Sequence, residues 1–310
     1  RTIVFTDTLQ TAGMLLGLGV CTWFLLQELD LTVAGSLAQM QERGINTVFG
    51  TDPYAKTWWL KQVVAGAFIA IAMTGLDQEM MQKNISVQRL RDAQKNVVLL
   101  SLVLLAVVSL FLYLGGLLAL FAPTVGLQVA GDRLFPAVVL GWLPVAVQVL
   151  FVIALISALF PSADGALTAL TSSFCIDLLG LQKRADWDEA KRTRIRRRVH
   201  LGFAALFMAL VMVFKALDDP SMIGLILKIA AYTYGPLLGL FAFGVLTQRR
   251  VNDRWVPAVA LAAPALCWLI DVNQQALFGA WQLGLELLLL NGALTFAGLW
   301  AGSRRAARPV

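Results

Sequence analysis

The chain has 310 residues, 58% of them hydrophobic and 14% charged, against about 25% charged in an ordinary soluble domain. A mean hydropathy of +0.73 and an uncharged apolar run over 97–120 exclude a water-soluble globule, a collagen, a coiled coil, a disordered tail and a disulfide scaffold. The net charge of +6 does not point to nucleic acid, because the basic residues sit in the gaps between apolar stretches with no aromatic interleaving.

Stretches of about 20 residues with few charges, the length that crosses a bilayer, predict eight spanning helices over 3–26, 58–80, 97–121, 145–174, 198–215, 222–247, 255–272 and 283–302. The opening residues lead from Arg1 straight into the first of these with no leader-like cleavage pattern. They read as the middle of a longer protein. That first stretch carries Gly13, Gly17 and Gly19, small residues that allow a neighbouring helix to approach. A polar segment over 27–57 follows, and its part 33–41 is amphipathic, suited to the membrane interface. The fourth stretch holds Pro144 and Pro161 and the sixth holds Gly235-Pro236, breaks that either are tolerated by membrane helices or expose carbonyls to a cation. Cys21, Cys175 and Cys267 lie in or at the ends of apolar stretches with no CxxC spacing and read as free thiols.

Alternate loops sort the basic residues sharply. Nineteen of the 25 lysines and arginines fall on one side, including eight between Lys183 and Arg198, and five fall on the other. By the positive-inside rule the richer side is cytoplasmic, and both termini lie there. The protein is therefore expected in an inner or plasma membrane, with the lipid bilayer as its surroundings.

Enzyme signatures are missing: no GxSxG, HExxH, Walker loop or dinucleotide fingerprint, and one histidine, His200, which reads as an interfacial residue. Ionisable residues inside apolar stretches carry more weight, since a charge in hydrocarbon normally faces a cavity or a partner. Asp7 reads either as such a group or as a helix N-terminal carboxylate favoured by the dipole. Lys228, two turns into its helix, either faces a partner or snorkels outward. Asp164 belongs to a stripe with Ser157, Thr168 and Thr171, at steps of seven, four and three that hold one helical face, with Ser162 beside it. Such hydroxyls and a carboxylate either ligate a small cation or bond to neighbouring helices.

Four passages give these residues a context: FTDTLQT over 5–11, GLDQEMMQKN over 75–84, SADGALTALT over 162–171 running on to Asp177, and YGPLLGLF over 234–241. In this order and on these helices the chain resembles the sodium:solute symporter family. The resemblance implies an all-α polytopic membrane protein with a leucine-transporter-like core of ten helices in two inverted repeats. It places TDTLQT at the start of the fifth core helix, so that 1–247 holds core helices five to ten and 248–310 two peripheral helices, the first four being absent. It implies no enzyme but a symporter, with sodium as the coupled ion and a small-molecule solute as its partner. The alternatives are a transporter-like membrane sensor module and a proton-coupled carrier. One sodium site implied by the resemblance uses Ala158, Pro161 and Ser162, although Pro161 stands where the family pattern has a hydroxyl. Another lies between Asp7 and the pair Asp164 and Gly165. Met73, Thr74, Tyr232 and Tyr234 are the implied solute-lining positions, with Met73 where sugar-carrying members have a ring-stacking aromatic.

Overall fold

The structure is a computed structural model that describes residues 2–77, 81, 87–183, 187–217 and 221–305, with the side chains of residues 2–7, 161 and 305 outside that description. It is helical almost throughout: α1 (Thr2–Glu28), α2 (Val33–Glu42), α3 (Trp59–Ile69), α4 (Leu90–Thr124), α5 (Leu134–Trp142), α6 (Val145–Ser173), α7 (Glu189–Leu217), α8 (Met222–Leu246), α9 (Val256–Val272), α10 (Gln274–Phe278) and α11 (Leu287–Ala301). Each of the eight expected apolar stretches overlaps one of these helices, the last residues of the stretch 58–80 lying outside the described residues. Among the described residues five helices are long and apolar enough to cross a membrane: Thr8–Glu28, Leu90–Thr124, Val145–Leu178, Glu189–Leu217 and Met222–Leu246. Three apolar helices, Trp59–Thr74, Val256–Val272 and Leu287–Ala301, are shorter. The amphipathic segment near 33–41 forms α2, capped by Thr32, whose side chain accepts from the Gly35 N–H.

Two helices close with a π-helical turn: α3 continues through Ala70–Thr74 and α6 through Phe174–Leu178. Such widened turns are rare and cluster at functional sites. Two short strands, β1 (Arg249–Val251) and β2 (Ser303–Arg305), pair antiparallel. Arg249 donates from Nε to Ser303 Oγ at 2.6 Å and lies over Trp300 at 4.5 Å, so the basic end of this unit is held in place.

The helices divide into two compact units. The first contains α1, α2, α4, α5, α6 and α7. Its core is Leu18, Cys21 and Leu25 of α1 against Leu114, Leu117 and Phe121 of α4, Val138 and Val139 of α5, and Val147 and Phe151 of α6. Met40 of α2 reaches this core because Gly116 has no side chain: a Cβ there would stand 2.6 Å from the Met40 sulfur. Ser36 and Tyr113 share a hydrogen bond of 2.7 Å just above it.

The second unit contains α3, α8, α9, α10 and α11. Helices α8 and α11 run parallel along a seam of small residues. Gly235 lies against Asn291, Gly239 against Gly292 and Thr295, and Gly292 against Leu238. The fully buried Asn291 donates from Nδ2 to the carbonyls of Ala231 and Tyr232 at 3.1 and 2.9 Å. The Gly235-Pro236 break therefore sits in a packed helix seam. All three cysteines are buried and free.

Candidate cation and solute site

Helices α1 and α6 are antiparallel neighbours, and their glycines set the distance. A Cβ on Gly13 would stand 3.5 Å from Ser157 Oγ, and one on Gly17 would stand 2.5 Å from Ala154 Cβ. With both helices rising 1.5 Å per residue, each step toward the start of α1 is a step toward the end of α6. This register brings the backbone of Asp7 level with the turn of α6 that holds Ser162 and Asp164. Two segments more than 150 residues apart in sequence thus meet at one height, as a shared ion site requires. The side chains of Asp7 and Pro161 lie outside the described residues.

The expected polar stripe of α6 divides into three. Ser157 faces Gly13 of α1. At the far end the Thr171 hydroxyl donates to Leu167 O at 2.7 Å and meets His200 Nδ1 of α7 at 3.1 Å. Because the threonine proton is already committed, the histidine Nδ1–H is the donor in that contact. Between them Ser162, Asp164 and Thr168 are exposed, and Ala158 and Gly165 are half-buried. Among the described residues neither the Ser162 hydroxyl nor the Asp164 carboxylate has a protein partner. Among the described residues interhelical bonding accounts for Thr171 and not for Ser162 or Asp164.

The implied solute-lining residues all lie in the second unit. Met73 and Thr74 belong to the π turn that ends α3. Met73 and Tyr234 border a cavity of about 10 Å³ with Ile69, Leu227 and Leu288, room for a single water at most, while Thr74 is exposed. The Tyr232 hydroxyl donates to Asp271 Oδ2 at 2.8 Å, and Lys228 Nζ meets the same oxygen at 2.8 Å. Gln274 Nε2 donates to the other carboxylate oxygen at 3.3 Å. The apolar-helix lysine thus faces a partner, Asp271, at the end of α9. Lys228 and Asp271 border a 270 Å³ cavity with Lys56 and Gln62.

Sequence reasoning did not single out Asp271, nor the cluster around the buried Lys61. The Lys61 ammonium lies 3.5 Å from the centre of the Trp281 ring and 3.8 Å from Glu286 Oε1. It also donates to Gln282 O at 3.1 Å. An acid closing an otherwise apolar stretch, as Asp271 does, was the available signal.

The sodium:solute symporter family model matches residues 1–254. The chain belongs to the sodium:solute symporter family. No curated protein matches it. Among solved structures it is similar to that of a Na+-coupled sialic acid symporter in a substrate-bound outward-open state, described as revealing a novel Na+ site. The TM-score is 0.74 at 13% identity over 98% of this chain and 63% of that one. Such a likeness shows the fold, an all-helical membrane transporter fold, and the chain spans 63% of the length of the symporter it resembles.

Proposed function

We propose that the protein takes part in sodium-coupled uptake of a small organic solute, with sodium held between α1 and the Ser162–Asp164 turn of α6. The observation that carries this reading is the α1–α6 register, which sets Asp7 level with an exposed hydroxyl and an exposed carboxylate that have no protein partner among the described residues. Sodium is a hard cation that takes oxygen ligands. The candidates are the Ala158 carbonyl and the Ser162 hydroxyl for one site, and the carboxylates of Asp164 and Asp7 for the other. Gly165 has no side-chain oxygen to add. Pro161 removes the hydroxyl expected at its position. It also lacks the N–H that would donate to the Ser157 carbonyl one turn earlier, so a backbone oxygen is released on the same helix.

A cation bound here acts by favouring one state of the transporter over another, since only differential affinity shifts such an equilibrium. A tenfold sodium gradient supplies about 1.4 kcal/mol, and 100 mV of membrane potential about 2.3 kcal/mol per charge. Together they sustain a solute accumulation of about 500-fold per sodium ion. The termini are assigned to the cytoplasm by the arginine and lysine asymmetry, and the division into core helices over 1–247 and peripheral helices over 248–310 follows from the family resemblance. Met73 offers no ring to stack on a sugar, so a sugar would need a different contact.

Solute uptake by the full-length protein, with sodium replaced by choline at constant ionic strength, tests the coupling. Uptake falls to background if sodium is the driving ion. Uptake that persists in choline and rises with acidity contradicts sodium coupling and assigns the work to a proton, with Asp164 as its carrier.

A further inference from the structure

At the C-terminal end of α6, one turn and more beyond Asp164, lies a cavity of about 360 Å³ lined from Thr168 onward. One wall is α7, which presents Arg192, Arg196 and His200 at intervals of four residues, one helical face. The other wall is the end of α6, with Thr171, Ser172 and the first residues of its π turn, and Leu181 closes the floor. We propose that this cavity binds the phosphate-bearing headgroup of an anionic phospholipid.

The chemistry of the walls favours an anion with a phosphate. Two guanidinium groups line the cavity with the carboxylate of Glu189, which bonds to Arg196 and lies 4.0 Å from Arg192. Lys191, Arg194, Arg197 and Arg198 flank them, so the surrounding field is strongly positive. Guanidinium forks match phosphate oxygens in pairs. The Ser172 hydroxyl, without a protein partner among the described residues, is a further donor.

The apolar continuation separates a lipid from a soluble phosphate. Phe203, one turn beyond His200 on α7, packs edge to face on Phe174 at 5.8 Å and joins the two helices there. Beyond them Leu206 and Leu210 continue the face of Arg192 and Arg196 and are 50% and 43% exposed, while Leu170 of α6 is 38% exposed. A headgroup in the cavity leaves its acyl chains along this strip. A free anion uses only the polar half. Basic pockets between transmembrane helices on the arginine-rich side are suited to such lipids, and the loop before α7 is on that side by residue count.

Native mass spectrometry of the full-length protein titrated with phosphatidylglycerol tests the assignment. Arg192→Gln with Arg196→Gln should weaken lipid binding on the order of tenfold, with partial recovery in the corresponding double lysine variant. Arg194→Gln with Arg198→Gln removes the same charge from the opposite face of α7 and should weaken binding several-fold less than the first pair. Equal losses in the two glutamine pairs would reduce the effect to diffuse attraction and overturn the proposal, as would unchanged binding in the first pair. Glycerol 3-phosphate should displace the lipid only at millimolar concentrations. Displacement at micromolar concentrations would make the occupant a soluble phosphate ester and overturn the lipid assignment.

Discussion

Replacing Ser162 with alanine should raise the sodium concentration that half-saturates uptake on the order of tenfold, and Asp164→Ala on the order of a hundredfold. Loss of groups that merely support a metal ligand costs about 10–100-fold in affinity, and loss of a ligand itself costs at least as much. The carboxylate has the larger effect because it supplies a full charge as well as an oxygen. Both side chains are exposed and neither bonds to another described residue, so neither substitution opens a cavity or strands a partner. Protein level and thermal midpoint should stay unchanged while sodium dependence moves. Kinetics of uptake against sodium concentration provide the measurement. An unaltered half-saturation in Asp164→Ala would remove α6 from the ion site.

Gly239→Val should cause the largest loss of stability. A Cβ at this position would stand 2.5 Å from the Gly292 carbonyl oxygen and 2.6 Å from Thr295 Cβ, and a backbone oxygen in a helix cannot rotate away. Helices α8 and α11 would have to separate. Separation would stretch the bonds from the buried Asn291 amide to the carbonyls of Ala231 and Tyr232. Overpacking costs about 1–3 kcal/mol, and leaving a buried amide unsatisfied costs about 1–3 kcal/mol more. The thermal midpoint in detergent should fall on the order of 10 °C. Gly244→Ala is the matching control: its Cβ meets nothing within 4 Å, and the midpoint should stay where it is. A midpoint for Gly239→Val that equals the control would mean that the seam is not close-packed.

Apolar runs made the helices legible in the sequence because hydrocarbon demands continuous hydrophobicity. Where the demand stops, so does the signal. Helix α7 begins at Glu189, earlier than the stretch 198–215 suggested, since its arginine-rich turns remain helical outside the apolar window. Helix α5 occupies a segment that hydropathy leaves as a loop, being nine residues long, far short of a span. The π turns at Ala70–Thr74 and Phe174–Leu178 have no compositional mark, and the pairing of Arg249–Val251 with Ser303–Arg305 is a purely tertiary event.

The site shows the same division. Periodicity revealed the polar face of α6, because seven, four and three are helical steps. It could not say that Thr171 is taken by His200 while Ser162 and Asp164 have no partner among the described residues, since that depends on which helix lies opposite each turn. Lys228 illustrates the limit from the other side. Read alone it either snorkels or pairs, and only the approach of α9 to α8 brings Asp271 within 2.8 Å of it.

The turn of α6 level with Asp7 is expected to face a hydrated cleft that holds sodium. Ala163→Cys places a thiol between Ser162 and Asp164 without removing either oxygen, against native thiols buried at 1% or less for Cys21 and Cys267 and 3% for Cys175. In membranes containing the full-length protein, a charged water-soluble thiol reagent should modify this cysteine, and sodium, but not choline, should slow the reaction. A thiol that never reacts, as one facing lipid would, or that reacts equally fast in sodium and choline, would contradict the account.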